Sequence, residues 1–289
     1  MQDCTPVVEL KALYENDKAF SSTIDRMFEN VQPLEDGSQN PWAGKDVVDL
    51  YEFINEWFYF LPDTHNALDR ILEFTFLYYE NPAGMEFILG DQGRNWTISF
   101  VEERGKYLDS PESTQIIEKW LNDPALNNDE FVYPKEGFDS FNDFFIRDLK
   151  PGSRPIEGVT DQSALVSPAD GIINMINNEL SLVSEIPTKS GMKLSLMALL
   201  DSSAYAKDFV GRTALAVFLL PHNYHHYHSP IEGIIVESKE SVGDRLFGMP
   251  DMLDIINEGN VAYNKDYSVF QNFRHGYFII ETEQYGYIA

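Results

Sequence analysis

The apolar residues of this chain change their period partway along it, and that change limits the fold more than any other feature. Up to about residue 130 they recur every three or four positions. In KDVVDLYEFINEWFYFL (residues 45–61), Val47, Leu50, Tyr51, Ile54 and Phe58 fall on one helical face. NALDRILEFTFLYY (66–79) repeats the spacing with Leu68, Ile71, Leu72 and Phe76, and NPAG then stops it with proline and glycine. In DSPESTQIIEKWLND (109–123), Ser110 is expected to cap a helix that begins at Pro111, where a missing amide proton costs nothing.

From about Phe138 the texture becomes short apolar or β-branched runs between Gly, Pro, Asn and Asp clusters, the pattern of strands. The candidates are SALVS (163–167), GIINMI (171–176), TALAVFLL (213–220), GIIVESKE (233–240), YFIIETE (277–283) and YGYIA (285–289). The polar, turn-rich stretch LNDPALNNDEFVYPKEGFD (121–139) separates the two textures. The expectation is therefore an α+β protein, with a helical accessory domain over 1–130 and a β-rich domain over 131–289.

Composition excludes several functions. The 47 acidic residues against 21 basic ones give a formal charge of −26, which repels nucleic acid and an anionic bilayer alike. A single cysteine, Cys4, allows neither an internal disulfide nor a thiolate metal cluster, and fits a reducing compartment. The opening residues carry acids where a secretory signal carries bases, and no apolar run approaches the roughly 20 residues that span a bilayer. The chain reads as soluble and cytoplasmic.

Four of the six histidines crowd into FLLPHNYHHYHSP (218–230). His222 and His226 are four apart, as zinc ligands on a helix would be, but Pro221 and Asn223 interrupt any helix and no cysteine or HExxH pattern completes a ligand set. No metal is expected. In an extended segment His226 and His228 face one side and His225 the other. A polar strand end with hydrogen-bonded histidines suits His222 and His226. Proton transfer is the reading for the cluster as a whole, since an unperturbed imidazole titrates near neutral pH.

Two further stretches precede it: FNDFFIRDLKPGSRPI (141–156) and ALVSPADGII (164–173), with YHHYHSPIEG (224–233) about fifty residues later. Together these resemble the phosphatidylserine decarboxylase family, with its FFxRxLKPxxRPI-like segment, SPADG loop and YHxxHxPxxG segment in order. The similarity runs from Phe138 to Ala289 and takes in KSGMKLSLMALL (189–200) and NFRHGYFIIETEQYGYIA (272–289). The helical part looks more loosely like the accessory domain of a soluble branch that includes fungal tryptophan decarboxylases.

The resemblance implies a self-processing enzyme with a pyruvoyl group made from its own serine, a group that condenses with the substrate amine and acts as electron sink. By motif position, His228 takes the proton of that serine, Asp170 orients the imidazole, and His225 later returns a proton to the substrate carbanion. Without the resemblance Asp170 would be read as a turn residue. Arg147, Lys150 and Arg154 read as ion-pair partners of Asp139, Asp143 and Asp148 in preference to a phosphate site, and Phe141, Phe144 and Phe145 as core.

The family's Gly-Ser cleavage pair is expected shortly beyond Ala289, since Ser190 and Ser241 both stand in the wrong order with their glycines. The chain thus reads as a fragment, or as a β subunit separated from the C-terminal α subunit of the same proenzyme, inactive in this form. Phosphatidylserine ranks first as substrate, with conversion to phosphatidylethanolamine, because many bacterial relatives with these motifs are named for it. A soluble aromatic amino acid such as tryptophan is the alternative, better matched to the charge and to a chain whose only membrane contact would be peripheral. A non-catalytic binding protein on the same scaffold is the third.

Overall fold

The computed structural model describes residues 2–34, 37–66, 69–78, 81–161, 163–182, 195–243 and 274–289. Contacts divide them into two units. One holds the described residues up to Leu126 together with Tyr133–Phe145; the other holds Asn127–Val132 and the described residues from Ile146 to Ala289. The first is helical and the second carries the strands, an α+β chain.

The helical unit contains α1 (Thr5–Asn16), α2 (Lys18–Glu29), α3 (Val47–Tyr59), α4 (Asp69–Tyr78), α5 (Pro82–Leu89), α6 (Asp91–Leu108), α7 (Ile117–Leu121) and α8 (Phe141–Phe145). Side chains close the amino ends of α2, α3 and α5. Asp17 accepts from the amides of Ala19 and Phe20, Asp46 and Asp49 form a capping box on α3, and Asn81 accepts from Ala83 ahead of α5. At the other end of α3, Arg104 donates to the carbonyls of Phe58 and Phe60 at 2.7 and 2.8 Å. Burial pushes the Arg104 guanidinium down to about 10.

An aromatic chain fills the space between these helices. Trp57 lies 4.9 Å from Phe74 and 5.1 Å from Phe100, ring centre to ring centre, and Trp42 packs edge-on to Phe53 at 5.0 Å. The polar edges of the indoles are satisfied: Trp42 donates to Glu73 O, Trp96 to Pro6 O and Trp120 to Pro62 O. Trp120 centres a second cluster with Ile117, Leu126, Phe141 and Phe144, so the first two phenylalanines of the FNDFF stretch are core and Phe145 packs beside them.

Two helix expectations are corrected. The segment after Ser110 starts as a 3-10 turn, Pro111–Ile116, and the Ser110 hydroxyl donates back to Tyr107 O instead of capping. In α4 the buried face is Phe74, Leu77 and Tyr78, while Ile71 and Phe76 are half-buried. The sequence there is apolar nearly all round, so spacing alone does not pick the face. Leu68 and the side chain of Leu72 lie outside the described residues.

In the second unit β1 (Ile172–Asn177) pairs antiparallel with β2 (Ala214–Phe218), with a shift in register between Ile173 and Met175. Strands β3 (Ile234–Val242), β4 (His275–Thr282) and β5 (Gly286–Ile288) form an antiparallel sheet in that order. Tyr277, Ile279 and Val242 from one face of this sheet pack with Leu180, Leu196, Leu200 and Phe209, the core of the unit; the short α9 (Leu196–Leu199) supplies Leu196.

Five of the six expected strands are present; SALVS is not one of them. Its one backbone bond to a distant segment among the described residues runs from Val166 N to Pro230 O at 3.0 Å, and the Tyr285 hydroxyl donates to Ser163 O at 2.5 Å. Pro230 is the acceptor of that backbone bond and Pro168 follows two residues after Val166, and a residue without an amide proton cannot continue a ladder. The stretch 189–194 and residues 272–273, both part of the family resemblance, lie outside the described residues. Among the described residues no helix is long and apolar enough to cross a membrane.

Two glycines of α6 allow a direct test of the packing. A Cβ at Gly93 would lie 2.0 Å from Phe87 O, whereas one at Gly105 would meet nothing within 4 Å. Gly93→Ala is expected to destabilise by about 1–3 kcal/mol, as overpacking does. Gly105→Ala is expected to stabilise by about 1 kcal/mol through helix propensity alone. Thermal denaturation followed by circular dichroism reads both signs.

Candidate active site

Asp170 stands at the entry to β1, followed by Gly171 at φ 139°, a backbone conformation that only glycine adopts without strain. Its loop lies against the histidine segment. Ala169 and Tyr227 form an antiparallel bridge, and the His228 amide donates to Pro168 O at 2.7 Å. Residues more than fifty positions apart in sequence thereby share one short stretch of paired backbone.

Both oxygens of Asp170 are occupied. Oδ1 accepts from Arg154 Nη1 at 2.5 Å, and Oδ2 from the backbone amide of Tyr224 at 3.1 Å. Arg154 in turn donates through Nε and Nη2 to Glu130 Oε2 at 2.9 and 2.6 Å. Glu130 is brought there by a bridge between Phe131 and Leu149. Burial alone would lower the Arg154 guanidinium, but the carboxylates of Asp170 and Glu130 hold it above the usual arginine value.

The histidines alternate. The Tyr224 ring stacks on His226 at 4.5 Å and on His228 at 5.7 Å, placing all three on one side of the segment. His225 turns the other way, and its Nε2 lies 3.1 Å from Leu220 O. A carbonyl can only accept, so the neutral imidazole carries its proton on Nε2. Burial lowers the His225 pKa from the ordinary 6.5, helped by the nearby Arg147 charge and opposed by the Leu220 carbonyl and Asp170. His226 bonds Ile146 O through Nε2, and the backbone of His222 accepts from Arg147. The imidazole of His228 is exposed and makes no hydrogen bond among the described residues.

The basic residues of residues 141–156 pair differently from the sequence expectation. Arg154 takes Glu130 and Asp170, Lys150 donates to Asp129 O, and buried Arg147 lies 4.1 Å over the Phe131 ring. Asp139, Asp143 and Asp148 were the nearest acids in sequence, but the bridge at Leu149 delivers residues 129 and 130 instead. Glu130 and Arg154 are thus site residues that sequence reasoning did not single out; the position of Arg154 in the RPI segment was the available signal.

Beside Ser229 opens a cleft of about 670 Å³ whose walls include Val159, Val166, Pro230 and Ile231. Among the described residues its charged lining is acidic: Glu157, Asp161, Glu232, Glu281 and Glu283. Among the described residues no group of three or more His, Cys, Asp or Glu side chains is gathered to hold a metal ion.

The structure thus places an arginine-bonded carboxylate on backbone paired with a histidine-rich segment whose next residue, Ser229, lines an open cleft. The comparison with known proteins then gives the family. The model of the family described as phosphatidylserine decarboxylase matches residues 141–289, and the chain belongs to that family. It is 32% identical over 198 residues to a phosphatidylserine decarboxylase proenzyme of Clostridium novyi, covering 68% of this chain and 65% of the relative. It is 30% identical over 214 residues to the corresponding proenzyme of Fusobacterium nucleatum, covering 74% and 65%. A phosphatidylserine decarboxylase proenzyme 3 of Schizosaccharomyces pombe is 36% identical over 148 residues, 51% of this chain and 15% of that much longer relative. The chain thus spans a little under two thirds of the length of both bacterial proteins.

The buried histidine yields a pH prediction. Because the folded-state pKa of His225 lies below its unfolded value, the unfolded chain binds the proton more readily, and stability is lost as pH falls below about 6.5. An NMR titration should place His225 below 6.5 with the neutral Nε2–H tautomer, and His225→Gln should remove this part of the pH dependence.

Proposed function

We propose that this chain carries the proton-transfer groups of a pyruvoyl-dependent carboxy-lyase that converts phosphatidylserine to phosphatidylethanolamine and carbon dioxide. The observation that carries the reading is the paired backbone that sets the Asp170 loop against the segment of His225 and His228. The names of the relatives supply the substrate.

The donor set suits a pyruvoyl group. It offers an exposed imidazole, a fixed carboxylate and a second, half-buried imidazole within the influence of that carboxylate. When formed, the group supplies the electron sink for the carbon that loses carbon dioxide. His228, whose imidazole is exposed, accepts the proton of the processing serine, which the resemblance places beyond Ala289. Asp170 holds the segment that bears this base through the Tyr224 amide. His225 is the later acid, and its lowered pKa makes its protonated form the readier donor. The C-terminal α subunit of the same proenzyme is the partner that would complete the site. A cytoplasmic setting, with at most peripheral contact to a bilayer, fits the single cysteine and the charge of −26.

One observation favours a second reading. A cleft whose charged lining, among the described residues, is acidic attracts an ammonium group and repels a phosphodiester, which suits a soluble aromatic amino acid better than a phospholipid.

In a version extended through its Gly-Ser, His228→Ala should block self-cleavage, while His225→Ala should still cleave but lose about 10²- to 10⁴-fold in turnover. Gel mobility reports the first, and carbon dioxide released from phosphatidylserine or from tryptophan reports the second and the substrate together. Normal splitting by His228→Ala alongside an uncleaved His225→Ala would reverse the two roles.

A further inference from the structure

We propose that Arg154, backed by Glu130, is the positioning residue of the site: it fixes the plane of the Asp170 carboxylate so that the histidine segment is held in register. This rests on the decarboxylase reading for its consequence in catalysis, but not for its geometry. An ionised carboxylate offers about four acceptor positions. Arg154 and the Tyr224 amide occupy two of them, one on each oxygen, which fixes the rotation of the group and leaves two for an imidazole.

The arginine is itself fixed. Its Nε and Nη2 both reach one oxygen of Glu130, and its guanidinium lies 5.8 Å from the ring centres of both Phe131 and Tyr224. All three members of the pair network are about 30% exposed, so water competes only partly for these bonds. Lysine could not replace this arrangement, because one ammonium lacks the planar fork that engages Asp170 and Glu130 together. The chain of contacts ends at the base: the residue whose amide bonds Asp170 is the one whose ring stacks on His228.

Two measurements test the proposal. The first needs no activity: in an amide NMR spectrum of this chain, Arg154→Gln should move the Tyr224 amide proton in the same direction as Asp170→Asn does, with Glu130→Gln moving it less. The second uses the version extended through Gly-Ser. There Arg154→Gln should slow self-cleavage on the order of 10²-fold, the cost of a small misplacement of reacting groups. Arg154→Lys should recover part of that rate, and Arg154→Gln combined with Asp170→Asn should cleave no more slowly than Asp170→Asn alone. A Tyr224 amide that stays in place in Arg154→Gln, or losses that multiply in the double variant, would overturn the assignment. Should Arg154→Gln not fold, the same amide shift in Arg154→Lys and Glu130→Gln decides it. Should the extended protein not cleave at all, the decarboxylase reading fails, and the amide result alone decides the positioning role.

Discussion

The bond from the His228 amide to Pro168 O, with the bridge between Ala169 and Tyr227 beside it, is the contact on which the site depends. It is too short to be called a strand pair, yet it sets the register of two loops. A slip of one residue would turn His228 and His226 to the side now taken by His225. Tyr224 guards against that slip, because its amide is bonded to Asp170 while its ring is stacked on two histidines. Backbone pairing and side-chain chemistry therefore specify the same alignment.

Much of this was legible in the sequence, and the reasons are local. Helix α3 declares itself by the spacing of Leu50, Ile54 and Phe58, and β4 by its β-branched and aromatic run. The alternation of His225 against His226 and His228 follows from an extended backbone. What stayed hidden was set by contacts distant in sequence. The partners of Arg154 lie 24 and 16 residues away, and nothing in the charge pattern around it distinguishes them from the aspartates nearby. SALVS has the composition of a strand, but among the described residues its backbone bond across to another segment ends on Pro230, with Pro168 two residues beyond Val166. Ser110 has the chemistry of a cap and spends it on the turn behind it.

The two arginines of the family segment perform different work on the same ring. Arg147 lies over Phe131 and donates to His222 O, steadying the start of the histidine loop. Arg154 lies farther over that ring, 5.8 Å from its centre, and turns its donors to carboxylates. Phe131 thus serves as a common anvil for both cations, with its own backbone bridged to Leu149 between them. Of the segment's three basic side chains Arg147 is buried and Arg154 half-buried, while Lys150 stays exposed.

All four tryptophans, at positions 42, 57, 96 and 120, lie in the helical unit, each nearly or wholly buried. The unit that bears Asp170 and the histidines has tyrosines but no indole. Intrinsic tryptophan emission is therefore a one-sided witness. An unfolding curve read from it follows the helices alone, and the part of the chain where the chemistry is assigned could loosen or order itself without changing the signal. A reporter for that part has to come from Tyr224 and its neighbours, or be introduced there.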